Sequence, residues 1–228
     1  LERWRRRSSK GIFNMTEAYI HHRIDVAPRE WQATADALAG SPNLALHGGT
    51  LYGAWRSQIG RPRDEVNAIS VWPNLDSAKA AVDGLFTDVG TVIGSAASIM
   101  TPTLRPKNAE PPRRQGNYAF RWFETPPENW QEFLDLCETA WPGFESAYDS
   151  QIIGMWRFIK DNGNFRRTLL MTRRPNLAVW ERSKIPQGKA ETEVRRQLSR
   201  RYDLCEATHV FTTTLITAED KEDAVRWA

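Results

Sequence analysis

Short hydrophobic segments recur along this chain, each rich in aromatic and β-branched residues and bounded by proline, glycine or asparagine. Such segments are typical of β-strands, and the residues between them are typical of turns and loops. The pattern predicts four strands in each half of the chain. The predicted strands lie at residues 19–26, 51–58, 66–72, 97–104, 117–123, 151–158, 167–172 and 208–216.

Apolar residues at helical spacing follow the first strand of each half. In the second half they are Trp130, Phe133, Leu134 and Cys137, and in the first half they form a thinner stripe of Trp31, Ala35 and Leu38. Pro28 and the pair Pro126 and Pro127 suit the first turn of these helices, where a missing N–H costs nothing. Asn74 and Asn176 each follow a third strand and predict the N-cap of a second helix.

The two halves repeat one another, and this repeat decides the predicted architecture. Tyr19 and Trp31 are twelve residues apart, as are Tyr118 and Trp130, which gives a shift of 99. Four matches in the same order predict a tandem duplication. The other three matches are GAWR at 53–56 with GMWR at 154–157, PNL at 73–75 with PNL at 175–177, and TPTL at 101–104 with TTTL at 212–215.

Each half has the order β-α-β-β-α-β, which is the ferredoxin-like unit with helices on one face of an antiparallel sheet. The other face carries Tyr, Trp and Val side chains and has to be covered. We therefore predict an α+β fold in which two tandem ferredoxin-like units close face to face into a pseudo-dimeric α+β barrel. The predicted divisions are a basic tail at 1–14, a first repeat at 15–104, a linker at 105–117, a second repeat at 118–217 and a tail at 218–228.

The duplicated G-x-W-R motif, followed by a hairpin and a third strand, resembles the NIPSNAP family. The motifs that carry the likeness run from Gly53 through VNAISVW to Ser77, and again from Gly154 to Arg182, and the resemblance covers most of residues 17–216. It implies a tandem pair within the dimeric α+β barrel superfamily, which includes cofactor-free monooxygenases and haem enzymes of the chlorite dismutase and dye-peroxidase kind. No active site follows from the resemblance, because NIPSNAP-like proteins have no agreed catalytic signature.

Composition and charge narrow the classes of function. With 40% hydrophobic and 26% charged residues, the 228-residue chain has an ordinary globular composition. No run of about 18 apolar residues predicts a membrane span. The net charge of +3 comes from residues 1–14, where five basic residues face one acidic residue, so we expect no nucleic-acid partner. Cys137 and Cys205 lie far apart without a CxxC motif, which argues against a disulfide scaffold and a cysteine zinc site.

Residues 189–206 carry an insertion that belongs to the second half. Val194, Leu198 and Tyr202 fall at i, i+4 and i+8, which predicts an amphipathic helix. Its other face is basic, and we interpret that face as solvated.

Four histidines are candidates for chemistry: His21, His22, His47 and His209. His21 and His22 are adjacent on a strand, so they point to opposite faces and cannot bind one metal together. The shift of 99 aligns His21 with Phe120 in an aromatic core position. We therefore take His21 as the candidate catalytic base, with a hydrogen-bonded structural histidine as the alternative. His209 is the candidate haem ligand of the second half, and no HxH or HExxH spacing predicts a metal centre.

Aromatic and basic residues around the repeated motifs make up the predicted ligand-binding set. The aromatic members either line a pocket for a small apolar ligand or pack the two sheets together. The arginines of the set point to the opposite strand face, where they form ion pairs or clamp an anion. Gly53 and Gly154 either make room for a ring or form a pocket wall. The set is Tyr19, Trp55, Tyr118, Trp122, Trp156, Arg56 and Arg157.

Three functions follow as hypotheses. The first is the binding of a small, largely apolar molecule between the two sheets, with His21 as proton acceptor in a cofactor-free oxygenase or related enzyme. The second is a haem enzyme with His209 or His21 as axial ligand. The third is a non-catalytic interaction module whose barrel is filled by side chains. In each case we expect a cytoplasmic homo-oligomer with no cofactor other than haem.

Overall fold

A computed structural model describes residues 17–161 and 163–220. The predicted basic tail at 1–14 and most of the predicted tail at 218–228 lie outside the described residues. Within them, eight β-strands and six α-helices form. The strands are β1 (Ala18–Val26), β2 (Thr50–Ile59), β3 (Glu65–Trp72), β4 (Val92–Pro102), β5 (Asn117–Thr125), β6 (Gln151–Phe158), β7 (Arg166–Arg174) and β8 (Ala207–Leu215). The helices are α1 (Trp31–Ala39), α2 (Pro42–Leu46), α3 (Leu75–Ala81), α4 (Trp130–Tyr148), α5 (Leu177–Arg182) and α6 (Gly188–Asp203).

The strands close into one barrel in the order β1-β3-β2-β8-β5-β7-β6-β4. Each half contributes a four-stranded sheet, β4-β1-β3-β2 and β8-β5-β7-β6, and every described pairing is antiparallel. The sheets join through β2 with β8 and β4 with β6. The chain is therefore an α+β protein in which two ferredoxin-like units close face to face, as the sequence predicted.

Three hydrophobic clusters follow from this arrangement. One fills the barrel, and the others lie between each sheet and its covering helices, α1 to α3 in the first half and mainly α4 and α6 in the second. Strand residues alternate between the barrel interior and these outer layers, because successive side chains point to opposite faces of a sheet. The barrel cluster is the part of the core that positions the candidate site.

The local predictions for strands and caps are confirmed apart from two details. Seven strands lie within two residues of their predicted bounds, and Asn74 and Asn176 accept hydrogen bonds from the third residue beyond them. The bounds of β4 were wrong, since it begins at Val92 where small residues hide the strand pattern. Pro28 was also wrongly placed in a helix, because α1 begins only at Trp31.

Helix α6 differs from its prediction on its basic side. The apolar residues at i, i+4 and i+8 pack against the core as expected. However, Arg201 is only 4% exposed, so the basic face is not wholly solvated. Among the described residues, no helix combines the length and the apolar character that a membrane span requires.

Candidate functional site

The middle of the barrel is filled by aromatic side chains. Trp55 and Trp156 are fully buried there, and each ring folds back over the strand glycine two residues before it. A Cβ atom on Gly53 would lie 2.6 Å from the Trp55 ring, and one on Gly154 would lie 2.4 Å from the Trp156 ring. The glycines therefore make room for a ring, and the two tryptophans divide the interior into two ends.

A cavity opens at each end of the barrel, and the two cavities share no lining residue. We call them the histidine pocket and the tyrosine pocket. The histidine pocket has a volume of about 270 Å³ and is lined by His21, Arg23, Arg61, Ala96, Ser98, Trp122, Phe158, Arg167, His209 and Phe211. The tyrosine pocket has a volume of about 380 Å³ and lies under residues 105–114, with Tyr52 and Tyr118 in its wall.

His21 enters the histidine pocket from β1 and is held from behind by hydrogen bonds. Its ring lies between two aromatic rings of β5, with centroid distances of 5.7 Å to Phe120 and 5.8 Å to Trp122. Its Nε2 atom lies 3.0 Å from the Oδ1 atom of Asn67, and both side chains are buried. The sequence alignment of His21 with Phe120 therefore corresponds to two inward-facing neighbours in space.

The hydrogen bonds behind His21 determine which ring nitrogen carries its proton. The amide of Asn67 donates from Nδ2 to Oε1 of Glu65 at 3.1 Å, and Glu65 is paired in turn with Arg61. A carboxylate paired with arginine can only accept, so the Oδ1 atom of Asn67 faces His21 and accepts its Nε2–H. The Nδ1 atom of His21 is then unprotonated, and no described residue bonds to it.

Burial keeps the His21 ring neutral. It lowers the pKa of His21 to about 4, against the smaller opposing effect of the hydrogen bond to Asn67. A neutral imidazole with an unoccupied Nδ1 atom is able to accept a proton or a hydrogen bond from a molecule in the pocket.

The opening of the histidine pocket is basic. Arg23 and Arg167 are exposed at this opening, and no carboxylate lines the pocket. Arg61 also lines it, but its guanidinium is paired with Glu65. Arg23 has no ion-pair partner among the described residues, and Arg167 reaches Glu124 only at 3.9 Å. This arrangement favours a ligand that carries or acquires negative charge.

His209 lies in the same pocket, at its rim. Its ring is stacked on Trp122 with a centroid distance of 4.8 Å, and it is exposed. Burial of its inner side and nearby Arg167 lower the pKa of His209. The structure thus brings together three predicted site residues, His21, Trp122 and His209.

The other predicted ligand-binding residues lie elsewhere. Tyr19 and Tyr118 belong to the tyrosine end, where their hydroxyl groups donate to Glu17 at 3.3 Å and to the Arg114 carbonyl at 2.5 Å. Burial raises the pKa of both hydroxyl groups. Neither tyrosine contacts the histidine pocket, and Trp55 and Trp156 lie between the two ends.

Arg56 and Arg157 lie outside the barrel, as their strand positions predicted. The Arg56 guanidinium lies 4.1 Å from the centre of the Trp31 ring, which is a cation–π contact with α1. Arg157 forms an ion pair with Asp161 in the hairpin after β6, with an N–O distance of 3.0 Å. Neither arginine lines the described barrel cavities, so both have structural contacts.

The residues of the barrel do not fit a haem. The rings of Trp55, Trp156 and Phe120 are fully buried between the sheets, so a planar macrocycle placed between the two pockets would clash with them. The Nε2 atom of His21 is engaged by Asn67, so only its Nδ1 atom is open to a ligand. Within the described residues, no group of three or more His, Cys, Asp or Glu side chains could hold a metal ion.

Sequence reasoning missed Asn67, Glu65 and the three arginines of the site. Glu65 and Asn67 lie on the same inward face of β3 as Ile69. Two polar residues on a strand face that points into the barrel were therefore a signal in the sequence for a functional site. The repeat offered a second signal. The shift of 102 aligns Asn67 with Leu169, so a polar residue stands where the other half has an apolar one.

No protein-family model matches the sequence, and no curated protein does. Solved structures do match the fold. A Lactobacillus acidophilus NCFM protein with a proposed monooxygenase activity has a TM-score of 0.57 and 11% identity, covering 89% of this chain and 95% of that chain. An anthrone oxidase-like protein has a TM-score of 0.54 and 11% identity, covering 89% and 92%. A chlorite dismutase variant from Candidatus Nitrospira defluvii has a TM-score of 0.56 and 7% identity, again covering 89% and 92%.

At these identities the likeness concerns the fold alone. It agrees with the closed barrel, the strand order and the helices outside each sheet. The chain has the dimeric α+β barrel fold, and it contributes both halves of the barrel itself.

Proposed function

We propose that this protein is an enzyme that binds a small aromatic molecule in the histidine pocket and removes a proton from it with the Nδ1 atom of His21. The observation that carries the proposal is the hydrogen-bond chain from Arg61 through Glu65 and Asn67 to His21. That chain leaves the one unprotonated ring nitrogen without a protein partner. A fixed neutral tautomer is what a general base requires.

The reaction proposed for the pocket is a proton transfer that forms an imidazolium and a substrate anion in a site partly shielded from water. The proton moves from the substrate to Nδ1, and the electron pair of the broken bond stays on the substrate as an anion. Arg23 and Arg167 at the opening stabilise that anion. The same anion raises the pKa of His21 towards the operating pH, because an adjacent opposite charge favours the imidazolium.

The residues that line the histidine pocket support one class of substrate. Trp122, Phe158 and Phe211 offer aromatic surfaces, while the arginines exclude a purely apolar occupant. The first hypothesis proposed a small, largely apolar ligand. We now propose an aromatic ligand that carries an acidic O–H or C–H group. An acidic carbon that has lost its proton can react with dioxygen without a cofactor, and the names of the monooxygenase and anthrone oxidase neighbours support this extension.

The other hypotheses receive less support. The barrel lacks a slot for haem, as described above, so no step is assigned to that group. A filled, non-catalytic barrel accounts for Trp55 and Trp156 but not for a pocket of about 270 Å³ with a buried histidine. The NIPSNAP assignment rests on the repeated motifs alone.

Anthrone is a suitable probe, since its methylene carbon is acidic. Its oxidation to anthraquinone consumes one dioxygen and releases one water, so the carbon loses two hydrogens and gains one oxygen. We expect the purified protein to accelerate this conversion, followed by the absorbance of anthraquinone. Replacement of His21→Phe should lower the rate by about 100-fold or more, because a general base contributes roughly 10²- to 10⁴-fold.

Phe is chosen because it keeps an aromatic ring at position 21 without a basic nitrogen, and because Phe120 is the residue at the aligned position. His47→Gln is the control, since His47 is exposed and lies outside the described pockets, and it should retain the full rate. A thermal melt checks that both variants are folded. Equal rates for His21→Phe and the parent protein would overturn the role of His21, and no acceleration by the parent protein would overturn the oxidation.

A further inference from the structure

A second group of charged side chains lies outside the barrel, between the sheet of the second half and the helices that cover it. Five cations line a cavity of about 50 Å³ there, which we call the cationic cavity. They are Arg121 on β5, Arg174 on β7, Lys184 after α5, and Arg195 and Arg201 on α6. The cationic cavity shares no residue with the histidine pocket, so its role is independent of the proposed function.

The deepest of these cations have no anionic partner. Arg174 and Arg201 are 7% and 4% exposed. Within the described residues, none of the five cations forms an ion pair with an Asp or Glu side chain. Buried charges in proteins are normally paired, because the loss of hydration is otherwise uncompensated.

Most hydrogen-bond donors of the cavity are also unused. Arg174 donates to Thr172 Oγ1 at 2.9 Å, Arg201 to Cys137 Sγ at 3.4 Å, and Arg121 to the Tyr202 hydroxyl. Each guanidinium has five N–H donors, so several remain available in each. The Nε atoms of Arg174 and Arg201 are buried with no partner.

Aromatic rings stabilise the arginines one by one without removing their mutual repulsion. The Arg201 guanidinium lies 4.6 Å from the centre of the Phe123 ring, and Arg174 lies 5.2 Å from Phe144. Burial, and then the four arginines, lower the pKa of Lys184 to about 8. Burial, and then Arg121, lower the pKa of Arg174 to about 10. The cavity therefore holds an excess of positive charge.

We infer that the cationic cavity binds a tetrahedral oxyanion with two negative charges, either inorganic phosphate or the phosphate group of a small molecule. Guanidinium groups match phosphate oxygens with paired N–H donors. A cavity of about 50 Å³ has room for roughly three or four water-sized groups, which suits a phosphate group. Lys184 is exposed at the edge of the cavity, where the remainder of a phosphate ester would extend into solvent.

The matched variants come from neighbouring residues of one helix. Arg195 lines the cavity, whereas Arg196 is exposed and paired with Glu193 at 2.7 Å. Phosphate binding to the full chain is measured by calorimetry at fixed ionic strength, with chloride as the control salt. Arg195→Gln and Lys184→Gln should each weaken binding by about tenfold, as expected for the loss of one charge-assisted hydrogen bond. Arg196→Gln should change it less than twofold.

One further ligand, glycerol 3-phosphate, distinguishes the source of the anion. Tighter binding of glycerol 3-phosphate than of inorganic phosphate supports a phosphorylated small molecule, and the reverse order supports free phosphate. The inference is overturned if phosphate shows no saturable binding up to about 10 mM, ten times a millimolar dissociation constant. It is equally overturned if Arg196→Gln weakens binding as much as Arg195→Gln. Activity on anthrone is not used in either comparison, so the two proposals fail separately.

Discussion

Asn67 is the residue that determines which ring nitrogen of His21 carries the proton. An amide has one accepting and one donating side, and Glu65 takes the donating side. His21 therefore receives an acceptor at Nε2, which leaves its other nitrogen as a base. A leucine, the residue at the aligned position 169, has a similar size but no hydrogen-bonding group, so it would leave the tautomer of His21 unspecified.

Asn67→Leu should therefore affect catalysis as a positioning change. We expect kcat for anthrone oxidation to fall by about 100-fold with KM nearly unchanged, because a misplaced catalytic group costs about that factor. Steady-state kinetics at several substrate concentrations separate the two constants. An unchanged kcat in a folded variant would show that Asn67 only fills space.

At the scale of elements, the second strand of each half (β2 and β6) carries a bulge and a glycine. Together they let a tryptophan ring lie over the strand inside the barrel. The register of β2 shifts between Leu51 and Gly53, and that of β6 shifts between Ile152 and Gly154. Such bulges bend a strand and redirect side chains. The repeated G-x-W motif is therefore a device for filling the barrel, and it separates the histidine pocket from the tyrosine pocket.

Gly154→Ala tests this device. The new methyl group would lie 2.4 Å from the Trp156 ring and 3.0 Å from Pro106, so the ring has to move. We expect the free energy of unfolding in urea to fall by about 1–3 kcal/mol, as for other overpacked cores. Gly90→Ala is the control, because a methyl group there meets no atom within 4 Å. Equal stability of the two variants would contradict the account of the bulge.

The elements were predictable because their signals are local. Aromatic and β-branched segments gave the strands, and two asparagines gave helix starts, whereas the small residues of β4 gave no such signal. Helix α6 shows a second limit of prediction from sequence. Its periodicity placed Val194 and Leu198 correctly, but periodicity cannot show that Arg201 is buried against the ring of Phe123.

At the scale of the whole molecule, the candidate site is assembled from strands that are distant in sequence. His21 was predictable from its alignment with a core position, and Trp122 from its strand face. Asn67, Arg23 and Arg167 join them only because the barrel closes in one register. A single-sequence pattern specifies which face a residue occupies but not which end of the barrel its partners share.

Barrel closure also bears on assembly. All eight described strands have two neighbours, but the two seams between the sheets are short, with three residue pairs between β4 and β6 and four between β2 and β8. The homo-oligomer remains a prediction.

The central claim is that His21 is a neutral base with its proton on Nε2, and ¹⁵N NMR of the histidine rings measures this directly. With the protein uniformly ¹⁵N-labelled and His21→Phe used for assignment, we predict a protonated Nε2 and an unprotonated Nδ1 at pH 7. As the pH falls, the ring should stay neutral until about pH 4, because burial lowers its pKa. An imidazolium at pH 7, or a proton on Nδ1, would contradict the account.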